Sequence, residues 1–397
     1  MLQAVNKNGR YITLATMKRE VVQNLRKGGE RFYCPVCKSP VIIKAGNQMI
    51  AHFAHQSNLD CLSREGGEGM EHEHGKLQLY EWLRRYNMDV RLEAYLREIQ
   101  QRPDILLSVN NKQIAIEYQC ARIATDEIQK RNRGYKAAGI FPIWIIGANH
   151  FRRYNANSFK LDQFTRQFIH QYTSETPSVL YYFHPYTSQF STIQDIFIVK
   201  NTTAVGKINV TALHKMKFPD LFHLNIFSAK EKLKLWLNEK RQFRLRPRNK
   251  LYGDELTWSK WLYYKGLHPQ IIPSAIHLPV LSQHLMKSPL WNWQSKIVLE
   301  IILPLPIDAI FSIDLCIHLL KNRIISDAAF PLIAPSINPI EQYLNVLEQL
   351  NYVQRVSTGI YQKKLQFQFY KNVEDAIEGD DMLLRKLTFQ NLGKIQA

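Results

Sequence analysis

A chain of 397 residues is longer than one ordinary hydrophobic core requires, so two or three domains are expected. A hydrophobic share of 45% with 11% aromatics excludes long disorder. A formal charge of +18 points to a polyanionic partner, for which nucleic acid is the commonest cytoplasmic choice.

No run reaches the roughly 18 to 20 apolar residues of a membrane-spanning helix. The opening MLQAVNKNGRYITLATM has no compact apolar stretch followed by a small-residue cleavage site. A cytoplasmic location is therefore expected. The five cysteines, an odd and sparse set, do not form a disulfide framework.

Residues 1–65 hold short strand-like pieces, RYITLAT and PVIIKAG, around a cluster of cysteine and histidine. Cys34 and Cys37 are followed after fourteen residues by His52 and His55, giving the four N/S ligands of a closed zinc tetrahedron. A hairpin of PVIIKAG and QMIAHF returns the histidines to the cysteines. Because His-x2-His is shorter than the usual spacing, Cys61 is an alternative to one histidine. A redox role for Cys-x2-Cys lacks the βαβ surroundings it requires. The expected outcome is a small zinc-binding module that the metal helps to fold.

A glycine-rich break, Arg64 to Gly69, separates this module from residues 66–225. There LQLYEWLRRY reads as a helix, DILLSV and QIAIEYQ as strands, and ATDEIQKRNRGYKAAG as a polar helix ending near Gly139. The apolar run from Ile140 to Gly147 reads as a buried strand with Trp144 in the core. VLYYFHP, QDIFIVK and KINVTAL extend the sheet. The alternation predicts an α/β sheet covered by helices.

Asn110 and Asn111 separate two of these strands and tolerate the left-handed dihedrals of a tight turn. With a two-residue loop, Val109 faces Lys112, and counting outward sets Asp104 opposite Glu117. Carboxylates that close repel unless a cation lies between them. Mg²⁺ or Mn²⁺ suits such a pair, and an ion there can activate a water against a phosphodiester. Period-2 alternation puts Gln119 on the face of Glu117 and turns Tyr118 away. A glutamate in such a strand can instead simply face solvent or pair with a lysine. Glu71, in Glu71-His72-Glu73-His74, begins the preceding helix, where the helix dipole alone would favour an acid. Arg131 and Tyr135, four apart, share a helical face. They either hold a phosphate near the metal or form a solvated face with the tyrosine packed on the sheet.

Residues 226–397 change character. AKEKLKLWLNEKRQFRLRPRNK is a basic helix, and further helices follow between Pro-containing connections. PIEQYLNVLEQLNYVQRVSTGIYQKKLQFQFY reads as a helix and a hairpin, an order that suits a winged helix or any other helix with a hairpin.

The series QRPDILL, IAIEYQ, the helix with Arg131 and Tyr135, and GIFPIWIIG resembles the competence protein CoiA family, and HFAH resembles that family's N-terminal region. The resemblance runs along essentially the whole chain, with its specific motifs in residues 30 to 150. It implies a restriction-endonuclease-like, PD-(D/E)XK fold: a mixed sheet core with helices. It also implies a metal-dependent nuclease acting in DNA processing or recombination during natural transformation. Asp104 and Glu117 then match the two metal-binding acids, and Glu71 with Lys76 matches the first-helix segment. DNA, single-stranded or a recombination intermediate, is the implied partner, together with a recombination protein. Gln119 stands where the general motif has lysine, and an amide can only orient water by hydrogen bonds. A catalytically inactive DNA-binding module that positions DNA or a recombinase is therefore the alternative.

Overall fold

Asn110 and Asn111 sit at φ of 49° and 61°, the paired left-handed dihedrals of a type I′ hairpin. The strands accordingly close where the asparagines are. Val109 pairs with Lys112, and the ladder runs back to Ile105 opposite Ile116. In the computed structural model, which describes residues 1–46, 50–55, 61, 69–86, 88–248, 250–335 and 338–389, this hairpin anchors the central sheet. The break expected at residues 64–69 lies outside the described residues except for Gly69.

The N-terminal module contains β1 (Gln3–Asn6), β2 (Tyr11–Thr13), α1 (Arg19–Lys27), β3 (Phe32–Tyr33), β4 (Pro40–Lys44) and β5 (His52–His55). The strands form an antiparallel sheet in the order β2-β1-β3-β4-β5. The expected hairpin of β4 and β5 is present, with Val41 opposite His55 and Lys44 opposite His52. Its core is small, built on Leu14, Val22, Phe32, Val41 and Phe53. A core of that size gains much from a metal staple.

The central part runs α2 (Met70–Arg84), β6 (Asp89–Leu92), β7 (Ile105–Val109), β8 (Lys112–Gln119), α3 (Thr125–Ala137) and β9 (Ile140–Gly147). It continues with β10 (Ser158–Lys160), α4 (Gln163–Arg166), β11 (Val179–His184), β12 (Gln189–Lys200) and β13 (Thr203–Ala212). Eight strands make one mixed sheet in the order β10-β13-β12-β11-β9-β8-β7-β6. β8, β9 and β11 are parallel neighbours, and α3 supplies the crossover that a parallel pair requires. Gly139, at φ 66°, releases the chain from α3 into β9. One face of the sheet packs Leu79, Trp82 and Leu83 of α2, while the other packs Ile128 of α3 with Trp144. Trp144 is a core residue, its indole N–H donating to Asn132 Oδ1 at 2.9 Å.

Beyond residue 226 come α5 (Ala229–Leu245), α6 (Gly253–Tyr264), α7 (Leu290–Lys296), β14 (Ile310–Ser312) and α8 (Ile313–Leu320). They are followed by α9 (Pro339–Gln349), β15 (Val353–Ser357), β16 (Ile360–Lys363) and α10 (Val373–Lys386). Ser228 and Glu231 form a reciprocal capping box that starts α5. The strand order β14-β16-β15, with α8 and α9 between the first strand and the hairpin, is the connectivity of a winged helix. Yet α9 buries Ile340, Tyr343, Leu344, Val346 and Leu347, and its charged side chains are Glu341 and Glu348. It is a core helix and has no basic face for a DNA groove. The core of this part includes Phe197, Val199 and Val205 of the central sheet, so apolar packing runs on past residue 226. Among the described residues no helix is long and apolar enough to cross a membrane.

Candidate functional site

Asp104 directly precedes β7, so it continues the register one step beyond Ile105 and Ile116 and falls opposite Glu117. Both carboxylates are buried, at 6% and 2% exposure. Burial on that scale demands partners. The two acids find theirs on different helices.

Asp104 turns toward α2. Its Oδ2 accepts the Tyr118 backbone N–H at 2.8 Å and meets His72 Nε2 at 3.2 Å, while Lys76 Nζ lies 3.7 Å from Oδ1. Lys76 is fully buried and its main partner is Glu93, at 2.7 Å, with Glu73 at 3.7 Å. Arg102 approaches the other oxygen of Glu93 at 3.6 Å. Helix α2 can come this close because residue 75 is glycine: a Cβ there would lie 2.1 Å from the Tyr118 ring. His72 stacks on that same ring at 5.8 Å.

Glu117 turns toward α3. Arg131 donates to its Oε2 at 2.8 Å, and the Tyr135 hydroxyl donates to Oε1. Burial first, then the Glu117 charge, pushes the Tyr135 phenol well above its usual range, so it keeps the proton it donates. The expected shared face of Arg131 and Tyr135 is present. Its contact in this structure is the Glu117 carboxylate.

The remaining expected residues are placed as follows. Lys76 is sealed among acids, so it neutralises carboxylates and has no path to bulk DNA. Glu71 is half-buried in the first turn of α2, and the residues of that helix that reach Asp104 are His72 and Lys76. Gln119 spends its amide on Ala121 O at 2.7 Å. Sequence reasoning missed His72, Glu73, Glu93 and Arg102. Of these, Glu93 carries a backbone signal, a φ of 48° just after β6, but the sequence pattern does not announce it.

Glu73, Glu93, Asp104 and Glu117 face Lys76, Arg102 and Arg131 among the described residues. The carboxylate oxygens of Asp104 and Glu117 are the donor type that Mg²⁺ or Mn²⁺ prefers. Such an ion would share Glu117 with Arg131 and Tyr135.

A second cluster lies in the N-terminal module. Ligand atoms of Cys34, Cys37, His55 and Cys61 all lie within 4.8 Å of one another and can hold a metal such as zinc. The sulfurs of Cys34 and Cys61 are 3.8 Å apart, and Cys37 Sγ is 3.3 Å from His55 Nε2. A tetrahedron with Zn–S arms of about 2.3 Å has edges of about 3.8 Å. Burial raises the Cys37 thiol, but hydrogen bonds from Ser39, His55 and Cys61 outweigh it and bring the group down to about 6. It is thus ready as a thiolate at neutral pH.

His52, expected as a ligand, is not in this cluster; its Nδ1 meets Ile50 O at 3.0 Å. The reason is strand geometry. Residues three apart on β5 point to opposite faces, so His52 and His55 cannot both face one ion, and Cys61 completes the set.

Three family models match: the competence protein CoiA N-terminal domain over residues 14–64, its nuclease-like domain over 68–226, and its C-terminal domain over 232–377. Competence protein CoiA of Bacillus subtilis (strain 168) is 31% identical over 281 residues, which is 70% of this chain and 74% of that protein. No solved structure matches. With the nuclease-like match spanning both carboxylates and a curated relative aligned over most of both chains, the chain belongs to the competence protein CoiA family.

Proposed function

We propose that this protein is a metal-dependent DNA nuclease that processes DNA or recombination intermediates during natural transformation. The observation that supports the reading is the tight hairpin, paired back to Ile105 opposite Ile116, which leaves the next residues, Asp104 and Glu117, both buried among charged groups. Asp104 and Glu117 would hold Mg²⁺ or Mn²⁺, and the ion would supply an activated water and stabilise charge on the attacked phosphate. The chain's own residues do the rest. The Tyr118 backbone N–H fixes the Asp104 carboxylate. Lys76, buried between Glu93 and Asp104, would hold those carboxylates in place. Gln119, its amide tied to Ala121, has a side-chain carbonyl that can orient a water. Arg131, on the Glu117 carboxylate at 2.8 Å, would hold that acid in position beside the ion. Zinc in the Cys34, Cys37, His55 and Cys61 cluster would stiffen the N-terminal module.

The test is cleavage of single-stranded, duplex and branched DNA with Mg²⁺ or Mn²⁺ by wild type, Asp104→Ala and Glu117→Ala. Cleavage by wild type that both variants lose supports the assignment. Equal cleavage by all three sinks it. A second reading rests on a specific contact: Glu117 is already held by both Arg131 and Tyr135, as in a nuclease fold that binds DNA without cutting it. DNA binding without cleavage by wild type would favour that reading.

A further inference from the structure

Aromatic residues usually enter cores, and this protein buries six of its seven tryptophans but only eight of its nineteen tyrosines. The three most exposed tyrosines gather at α6. Tyr252, Tyr263 and Tyr264 are 75%, 79% and 85% exposed. Tyr252, Leu256, Lys260 and Tyr264 follow one another at intervals of four, so they form a single stripe along the helix, and all are exposed. Tyr263 lies beside its end, with its ring 6.3 Å from that of Tyr264.

The stripe is held rigidly from below. Trp258, on the buried side of α6, packs on Trp291 at 4.4 Å and donates to Ser295 Oγ at 2.8 Å. Trp261 donates to Glu300 at 3.0 Å and lies under the ammonium groups of Lys265 and Lys296, at 5.2 and 4.4 Å. The helix that carries the tyrosines is therefore anchored to the core.

Charge decides what such a surface meets. Residues 229–268 contain eleven Lys or Arg against four Asp or Glu. The structure neutralises the cations that could burden the fold: Lys240 and Arg244 pair with Asp380, and Arg246 and Arg248 pair with Glu255. Lys230, Lys234, Arg241, Lys250, Lys260 and Lys265 are exposed and make no ion pair among the described residues. Of these, Lys250, Lys260 and Lys265 lie within a few residues of the three exposed rings, and such cations repel a second copy of the same surface. They suit a polyanion whose flat faces are available for stacking. A duplex hides its base faces, whereas a single strand presents them.

We propose that α6 is a single-stranded DNA platform, with bases stacking on Tyr252, Tyr263 and Tyr264 and the phosphates following Lys250, Lys260 and Lys265. It stands apart from the buried carboxylates and needs no divalent ion. It rests on the reading of the chain as DNA-acting only in the choice of DNA over RNA.

The experiment is fluorescence anisotropy with labelled oligo(dT), the full-length chain and EDTA, so that cleavage plays no part. The variants are Tyr263→Ala with Tyr264→Ala, and Tyr263→Phe with Tyr264→Phe. The alanine pair is expected to weaken oligo(dT) binding by about tenfold or more, and the phenylalanine pair to stay within about twofold, because stacking needs the ring and not the hydroxyl. Duplex binding is expected to change little in either. Unaltered oligo(dT) binding by the alanine pair overturns the proposal, as does an equal loss on duplex. A preference for oligo(U) over oligo(dT) overturns the choice of DNA. A wild-type dimer that the alanine pair converts to monomer in sedimentation assigns the stripe to self-association. Far-ultraviolet circular dichroism confirms that the variants keep their fold. Absence of nuclease activity leaves this binding result standing, so the two readings fail separately.

Discussion

The backbone N–H of Leu2 donates to Glu93 Oε2 at 2.8 Å, across ninety-one positions of sequence, while Lys76 holds the other oxygen of the same carboxylate at 2.7 Å. The Phe53 N–H in turn donates to Met1 O at 2.9 Å. Two residues beyond Phe53 is His55, a member of the cysteine–histidine cluster. A short chain of backbone bonds therefore joins that cluster to the charges around Asp104.

Removing the metal from the N-terminal cluster should be felt at the carboxylates. Cys34→Ser with Cys61→Ser is expected to abolish bound zinc, measured by elemental analysis of purified protein, and to lower the thermal midpoint. His52→Ala is expected to retain wild-type zinc content. Zinc lost from the histidine variant and retained in the serine pair would reverse the ligand assignment.

Gly75→Ala tests the approach of α2 to β8. The new methyl meets the Tyr118 ring, which is buried and cannot swing away. A cost of about 1–3 kcal/mol is expected from overpacking, read from the urea midpoint. Cleavage should fall as well, since α2 carries both His72 and Lys76 to Asp104. An unchanged midpoint would show that the helix can shift freely.

Lys76→Met removes the ammonium shared by Glu93, Glu73 and Asp104. Stranding buried carboxylates is expected to cost about 3 kcal/mol or more. Adding Glu93→Gln to that variant should recover part of the loss, because the double change removes an uncompensated charge along with its partner. Equilibrium unfolding of the four proteins in this cycle gives the coupling directly. Simple additivity would mean that the pair contributes little.

Stability should decline in mild acid. Burial pushes His170 and His277 down to about 3 and His284 down to about 4. In the folded protein these rings stay neutral, whereas in the unfolded chain they take up protons below about pH 6.5. Their contribution is complete above that pH and is lost as the pH falls toward 4 and then 3, at about 1.4 kcal/mol per pH unit for each ring. His277 has both ring nitrogens without a hydrogen bond among the described residues, and a φ of 66°. His277→Asn tolerates that dihedral and cannot titrate, so its urea midpoint should vary less between pH 7 and pH 4 than that of wild type. An identical pH profile would remove His277 from the account.

Much of the scaffold could be read from local pattern. Asn110-Asn111 dictates a type I′ turn, the turn dictates the register, and the register puts Asp104 opposite Glu117 whatever the rest of the chain does. Alternation along β5 likewise means that His52 and His55 cannot both face the cysteines, although only the fold shows that His55 and Cys61 complete the set. Period and propensity are local quantities, and these features depend on nothing else.

The distribution of charge and exposure belongs to the tertiary structure. In sequence, Lys76 and Arg131 stand out only as candidate site residues without named partners, and nothing marks Glu93, Tyr263 or Tyr264. Asp104 goes to α2 and Glu117 to α3 because burial forces each carboxylate to seek a partner from an element distant in the chain. The hairpin sets the two acids face to face by its turn chemistry alone. Which helix holds each acid, and which rings are left in water, follows from how whole elements pack.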